Sequence, residues 1–543
     1  MEEILRNIEI AEKLSRANEN VKIVAVVSGN ESDRASWQKR LAKTAPFLFN
    51  RDGSTLVISL QEKIGTKTRE GNFLGTLLAY RYIKEILHKK NISYKDSVIL
   101  LGMIFGRGER MSPITQAEGD RKSNIAVTPA VIPLSVNTKI SFCAIEEALL
   151  YFAPIAKVLE NKGFRGILNK WGDETEIPSL KYPILHAGPV TGSACGIVKF
   201  VSRVRLMDIL EVEARDKDWV IFDESGLMLA QVARNRQGAA ALRKDIKSKM
   251  VELGIDLDYV GISLGPVATS YDVLDIASEV FSVEIEKDGV FFDYDPYFLM
   301  AIASSKEEVH RALIKMVPDF SEKISNIKEV FREKHKKELK IEVFDLGERV
   351  YWADIGLHSS MREKYLALND TGAGGVLARK LAKIPEERDS KKNIIINSKI
   401  SSEVMVKNSI VVNSNVSGTG KIEKSVILDS EFKDVEASGA FAVKSTRFGK
   451  TKLKEKSGMY NSLGKDDIVL EQKTRHVSVL TKDGKIDMRV SEDTDLRDKE
   501  KNYNTTIFEN KMSFKEAYDK MFGVSAEELE DRREKVIKEM REK

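Results

Sequence analysis

Between Ile394 and Phe441 the chain keeps a six-residue beat. Ile394, Ile400, Val406 and Val412 form one aliphatic run, and Ile410, Val416, Ile422 and Leu428 a second, shifted one. A helix repeats at about 3.6 residues and a half-buried strand alternates at two, so neither produces this spacing. The segment lacks proline and is rich in Ile, Val, Asn, Ser and Lys. Such a repeat fits short parallel strands wound into successive coils, each needing neighbours to cover its edges. An ordinary small β-sheet is the alternative.

The chain before residue 390 follows a different rule. Lys22–Val27, Ser54–Ser59, Ser97–Leu101, Gly166–Leu168, Trp219–Phe222 and Tyr259–Ile262 are short apolar, largely β-branched runs that read as buried strands. Helical patterns at Leu74–His88, at Glu146–Lys162 and after Ser270 separate several of them. Strands alternating with helices predict an α/β fold with a mixed, mostly parallel sheet. Residues 2–18 and 304–338 read as charged helices. So does Phe514–Lys543, where Ser525 followed by Glu528 is an N-cap signature.

Composition narrows the function classes. The 543 residues carry 87 Lys and Arg against 83 Asp and Glu, a net charge of +4. That balance leaves no electrostatic footprint for nucleic acid. Two cysteines, Cys143 and Cys195, exclude a disulfide scaffold and point to a reducing compartment. No apolar run reaches the roughly 18 residues of a membrane span. With no signal-peptide pattern at the start, the expected location is the cytoplasm.

Three motifs carry the chemistry. Phe105-Gly106-Arg107-Gly108-Glu109-Arg110-Met111-Ser112-Pro113-Ile114-Thr115 directly follows a predicted buried strand. Its glycines let backbone N–H groups approach an anion, and Arg110 can fork onto phosphate oxygens. Lys170-Trp171-Gly172-Asp173-Glu174 places a carboxylate at a strand end, as a hard cation requires. A turn aspartate is the ordinary alternative. The third motif is Val350-Tyr351-Trp352-Ala353-Asp354-Ile355-Gly356-Leu357, which carries Asp354. Asp293 and Asp295, in Phe292-Asp293-Tyr294-Asp295-Pro296, form a rival acidic pair.

These motifs, in this order, resemble the sugar-1-phosphate nucleotidyltransferases, or nucleotide-sugar pyrophosphorylases. The first is similar to the family's glycine-rich loop, keeping Gly106, Gly108, Arg110, Pro113 and Thr115, with Phe105, Arg107 and Glu109 as departures. The resemblance implies Arg110 and a downstream lysine, Lys122 with Arg121 as rival, as catalytic phosphate-gripping residues. It implies Asp173 and Asp354 as ligands of a catalytic Mg2+. The preceding Ile64-Gly65, Gly71 and Gly75-Thr76-Leu77 give an element order similar to the GDP-fucose pyrophosphorylases. That order implies Gly71, Gly75, Thr76, Gly106 and Gly108 as nucleotide-binding positions.

The expectation is therefore an N-terminal helix over 1–20, a Rossmann-like nucleotidyltransferase domain over 21–388, a left-handed parallel β-helix over 389–450 and a partly helical tail over 451–543. The implied substrates are an NTP, GTP by the closest element order, and a sugar 1-phosphate, with oligomerisation through the β-helix. No membrane or nucleic-acid partner is expected. Two alternatives stand beside the enzyme. One is a catalytically inactive nucleotide-binding subunit, suggested by Arg107 and Glu109. The other is a β-helix acyltransferase, which the absence of histidine between Ile394 and Thr451 opposes.

Overall fold

The computed structural model describes residues 1–62, 71–104, 108–119, 124–133, 139–181, 196–287, 290–303, 318–432 and 434–542. The run Ile23–Ser28 is a fully buried strand. It pairs in parallel with Leu56–Gln61 on one side and Val98–Met103 on the other. Val98–Met103 pairs in parallel with Gly166–Trp171. The helices Glu31–Leu48, Gly71–Lys89 and Ala144–Asn161 connect these four strands. Successive side chains point to opposite faces of the sheet. Ile23, Ala25 and Val27 join Phe73, Leu74 and Leu77 in one core. Val24 and Val26 join Trp37, Leu41, Ile145 and Leu149 in another. Two covered faces explain why these strands read as unbroken apolar runs.

Beyond Gly166–Trp171 the nine-stranded sheet changes direction. Tyr259–Ser270 runs antiparallel to Gly166–Trp171, Ile197–Arg205 and Trp219–Phe222. Met228–Val232 forms a hairpin with Trp219–Phe222, and Ile341–Glu348 pairs in parallel with Ile197–Arg205. Within the parallel part, the strand order places Ile23–Ser28 between Leu56–Gln61 and Val98–Met103. The winding therefore reverses there, and the crevice at the carboxyl ends of such a switch point is where open α/β sheets hold ligands. Ser28 and Met103 end the two strands that flank it.

The C-terminal part is three parallel ladders of short strands. The six-residue beat holds only within a coil. Ile394, Ile400 and Val406 belong to three different ladders, and Ile410, not Val412, pairs with Ile394. The coil thus closes after 410 − 394 = 16 residues. Corner chemistry sets that length. Asn397, Asn413, Asp429, Lys444 and Asn461 stack with φ between 48 and 50°, a left-handed region that Asn and Asp tolerate better than most residues. After each corner comes a serine. The Ser414 N–H donates to Ser398 Oγ at 3.1 Å, Ser430 N–H to Ser414 Oγ at 3.2 Å and Ser445 N–H to Ser430 Oγ at 3.3 Å. These columns account for the Asn and Ser content.

The expected boundary at 450 falls inside the ladders. Parallel pairing continues through Ile468–Leu470 to Thr474–Thr481, which then pairs antiparallel with Gly484–Ser491. The tail is helical over Phe514–Met521 and Ala526–Glu542. Ser525 and Glu528 form the expected reciprocal cap, with N–H···O distances of 2.8 and 3.1 Å. Phe514, Ala517 and Met521 share a core with Val477 and Val479, so this helix docks on the last ladder strand. Among the described residues, no helix is long and apolar enough to cross a membrane.

Ile422 is fully buried in the core enclosed by the ladders. Ile422→Ala is expected to lower stability by about 3 kcal/mol, read as a shift in the urea unfolding midpoint.

Candidate functional site

Met103 pairs with Trp171, and the Gly172 N–H donates to the Met103 carbonyl at 3.0 Å. This puts the Gly172-Asp173 turn at the carboxyl edge of the sheet, beside the strand that leads toward Gly108. Glu174–Ile177 then pairs antiparallel with Tyr351–Asp354, setting Asp354 opposite Glu174. The Ile355 N–H donates to the Asp173 carbonyl at 3.3 Å. Two predicted carboxylates about 180 residues apart in sequence are thus brought together. Directly opposed residues of an antiparallel pair share a face, and alternate residues return to it. Glu174, Glu176, Trp352 and Asp354 therefore project on one side of the ribbon.

That side is crowded with acid. Burial pushes the Glu174 carboxyl well above the usual carboxylate range. Glu176, Asp173 and Asp354 push it the same way, and Lys170 opposes them. Glu174 Oε2 is enclosed and has no hydrogen-bond partner. It lies 2.7 Å from where a Cβ on Gly265 would stand. Glu176 has its own counter-ion, since Lys170 Nζ is 2.6 Å from its carboxylate and both side chains are fully buried. Lys170 also donates to the carbonyls of Glu174 at 2.6 Å and Trp171 at 3.1 Å. Lys217 overlies the same ribbon, its Nζ 3.2 Å from the centroid of Trp352. Burial lowers its pKa, and Glu174 and Asp354 hold it up.

An enclosed carboxyl oxygen without a partner, amid further carboxylates, fits a site short of positive charge. Asp173 and Asp354 are the side chains here that could hold a divalent cation. Among the described residues no group of three or more His, Cys, Asp or Glu is arranged to hold a metal ion. Two carboxylates suffice for Mg2+, which keeps water and substrate phosphate oxygens as its other ligands.

The remaining predicted residues are placed as follows. Gly108 has φ 57° and opens a short turn over Glu109–Met111. Arg110 is exposed, Glu109 lies 3.1 Å from Lys499, and the buried Thr115 donates from its hydroxyl to the Gly108 carbonyl at 3.4 Å. Gly106, Arg121 and Lys122 lie outside the described residues, as does Ile64-Gly65. Gly71, Gly75 and Thr76 are buried in the first turns of Gly71–Lys89. The start of this helix is held by the rival acidic segment. The Asp293 carboxylate accepts from the Asn72 N–H, and the Tyr294 N–H donates to the Asn72 side chain, both at 2.6 Å. Thr76 accepts from the Asn169 amide at 2.9 Å. Asp295 pairs with the fully buried Lys199 at 2.7 Å. Asp293 and Asp295 are thereby tied to a helix start and a lysine respectively.

Sequence reasoning missed Glu174, Lys217 and His358. Glu174 adjoins Asp173 and was within reach. Lys217 and His358 carry no motif. The buried His358 joins the two motif loops, its Nε2 2.9 Å from the Ser112 carbonyl. Burial pushes its pKa down to about 3, with Arg475 adding and the Ser112 bond opposing. His476, in the last ladder strand, is also buried, with Nδ1 2.6 Å from Ser462 Oγ, and burial lowers it to about 3. No family model matches the chain, and no curated protein matches it either.

Two expectations follow. Gly71 has φ 79°, and a Cβ there would meet the Phe292 carbonyl oxygen at 2.7 Å. Gly71→Ala should destabilise the protein by more than about 1 kcal/mol, read by thermal unfolding. His358 and His476 stay neutral when folded and gain a proton when unfolded below the ordinary histidine pKa of 6.5. Their contribution is whole above pH 6.5 and is lost as pH falls toward 3. Between about pH 6 and 5, where carboxylates contribute least, each should steepen the decline by roughly 1.4 kcal/mol per pH unit. His358→Gln should flatten that slope by one such share in denaturation curves across pH.

Proposed function

We propose that this chain is a sugar-1-phosphate nucleotidyltransferase, making a nucleotide sugar and pyrophosphate from an NTP and a sugar 1-phosphate. The observation that carries the reading is the pairing of Glu174–Ile177 with Tyr351–Asp354. It sets Asp173 and Asp354 together at the carboxyl edge of the sheet. The resemblance in motif order and the glycine-rich loop after Val98–Met103 support the same reading. On this reading residues 21–388 are the catalytic domain, and the ladders from 389 onward are a left-handed β-helix that serves assembly. GTP is the proposed nucleotide, and the cytoplasm the proposed location.

The chemistry asks little of side chains. A phosphate monoester is largely dianionic at neutral pH and already carries the attacking oxygen. That oxygen bonds to the α-phosphorus, the bond from the α-phosphorus to the bridging oxygen of the β-phosphate breaks, and pyrophosphate leaves with the electron pair. Asp173 and Asp354 would hold Mg2+, which when bound neutralises charge on the phosphates. Arg110, exposed at the loop, can fork onto the oxygens of the leaving pyrophosphate. The loop amides position the triphosphate. The second reading is a binding subunit without turnover. Its support is Glu109, which departs from the family loop and pairs with Lys499 at 3.1 Å.

Pyrophosphate release should be assayed with Mg2+, crossing ATP, GTP, UTP, CTP and dTTP with a panel of sugar 1-phosphates. Turnover on one pair is expected. Asp173→Asn and Asp354→Asn should each lower kcat by about 100-fold or more with the unfolding temperature unchanged. Full activity in either variant removes that residue from the mechanism. Nucleotide binding with no turnover on any pair selects the second reading.

A further inference from the structure

Lys217 lies in the short link between the helix Glu211–Asp216 and the strand Trp219–Phe222. Its ammonium sits on the Trp352 ring, and Trp352 projects on the same face of the ribbon as Asp354 and Glu174. Both carboxyls act on it electrostatically. Yet among the described residues it has no ion pair within 4.0 Å and no hydrogen bond. The other lysines enclosed here do not behave this way. Lys170 is paired with Glu176 at 2.6 Å and Lys199 with Asp295 at 2.7 Å. The neighbouring acid in the same link, Asp218, accepts from Arg234 instead, at 3.0 Å. An ammonium has three donors and no acceptor. Half-buried against an indole face, it loses water on one side and gains no oxygen in exchange. Glu174 Oε2, enclosed and without a hydrogen-bond partner, is the complementary orphan on the same face. An ammonium without an oxygen partner, beside an enclosed carboxyl that lacks a hydrogen-bond partner, marks a place for a ligand that carries oxygen acceptors and travels with a cation.

We propose that Lys217 binds a phosphoryl group of the substrates, its N–H donors directed to non-bridging phosphate oxygens beside Asp173 and Asp354. This rests on the nucleotidyltransferase reading for the identity of the substrates. It does not rest on it for the ligand chemistry, which is a phosphate monoester or diphosphate with a divalent cation. The phosphoryl group comes either from the sugar 1-phosphate or from the nucleotide. Trp352 fixes the ammonium in place, so Lys217 contacts ligand without needing to swing in from solvent.

The test is isothermal titration of the full chain with inorganic pyrophosphate and, separately, glucose 1-phosphate, each with Mg2+. Wild type, Lys217→Gln and Lys217→Arg are compared. The expected result is binding to wild type, at least ten-fold weaker binding of one or both ligands to Lys217→Gln, and partial recovery in Lys217→Arg. Unfolding temperatures should match across the three. Equal affinity in wild type and Lys217→Gln overturns the proposal, as does the absence of millimolar binding to wild type. A destabilised Lys217→Gln leaves the decision to Lys217→Arg, whose planar fork should change the relative affinities of the two ligands. Identical affinities there also overturn it. Lys217-dependent binding in a protein that turns over no substrate pair keeps this inference and removes the enzymatic reading. Turnover with Lys217-independent binding does the reverse. In an active protein, a KM increase in Lys217→Gln confined to the sugar 1-phosphate or to the NTP names the source of the phosphoryl group.

Discussion

The site depends on a two-stranded ribbon that is not part of the main sheet. A lone pair of strands is marginally stable in water, so the pairing of Glu174–Ile177 with Tyr351–Asp354 must be held from outside. Glu147, fully buried on the helix Ala144–Asn161, does much of this. Its carboxylate accepts from Thr175 Oγ1 at 2.9 Å and from Lys364 Nζ at 2.7 Å. One side chain thereby links the ribbon, the helix that follows it and a helix packed on the parallel sheet. At the ribbon's exit, the Asn7 amide donates to the carbonyls of Pro178 and Leu180 at 2.9 and 2.7 Å. The N-terminal helix thus fixes the far end. The opposite face of the ribbon is left to the acids and Lys217, so structural and chemical demands fall on different sides of the same strands.

The C-terminal ladders add a second brace. Met111, Ile114, Ile355, Met361 and Tyr365 share one core with Ile410, Val426, Phe441 and Tyr460. The segments after the glycine-rich loop and after Asp354 are therefore closed over by the repeat. Polar ties follow the same seam. Glu118 meets Lys444 at 3.2 Å and accepts from the Tyr460 hydroxyl, and the Gln116 amide donates to the Phe514 carbonyl at 2.7 Å. Glu492 lies between Arg362 and Arg475, which contributes charge balance at a buried position where an unpaired ion would be costly. A stack of parallel coils is stiff along its axis because each strand bonds to the next. Its face is a suitable wall for loops whose positions must be fixed to fractions of an ångström.

How much of this the sequence displayed depends on the range of the interactions. Buried parallel strands announce themselves through unbroken apolar runs, so Ile23–Ser28, Val98–Met103 and Gly166–Trp171 were legible, as was the cap at Ser525. Asp173 was legible as a strand-end carboxylate and Asp354 through its motif alone, though nothing local says that one lies against the other. The repeat was legible as a repeat, but its length was not. Six-residue spacing inside a coil hid the shorter third side, where Asn408 turns the chain with φ of 45°. Lys217 was invisible because its role comes from Trp352, about 135 residues away. The close approach of Gly71 to Phe292 joins segments more than 200 residues apart, and no local pattern announces it. Short-range pattern reveals elements; the pairing of distant charges is written only in the packing.

That division bears on how the acidic face works. Packing four carboxyls near one another in a partly enclosed place is unfavourable unless something offsets them. The protein supplies one full counter-ion, Lys170, which is committed to Glu176 and steadies the backbone through the carbonyls of Trp171 and Glu174. Lys217 offsets the face only at a distance. On the proposed reading this is functional: a lysine in direct contact with Asp354 would compete with the cation the carboxylates are meant to hold, and a more distant one would leave phosphate oxygens without a donor. Cation–π contact with Trp352 holds the ammonium between these extremes. Charge balance is then reached only when cation and phosphate arrive together, so a site poor for either alone favours the pair.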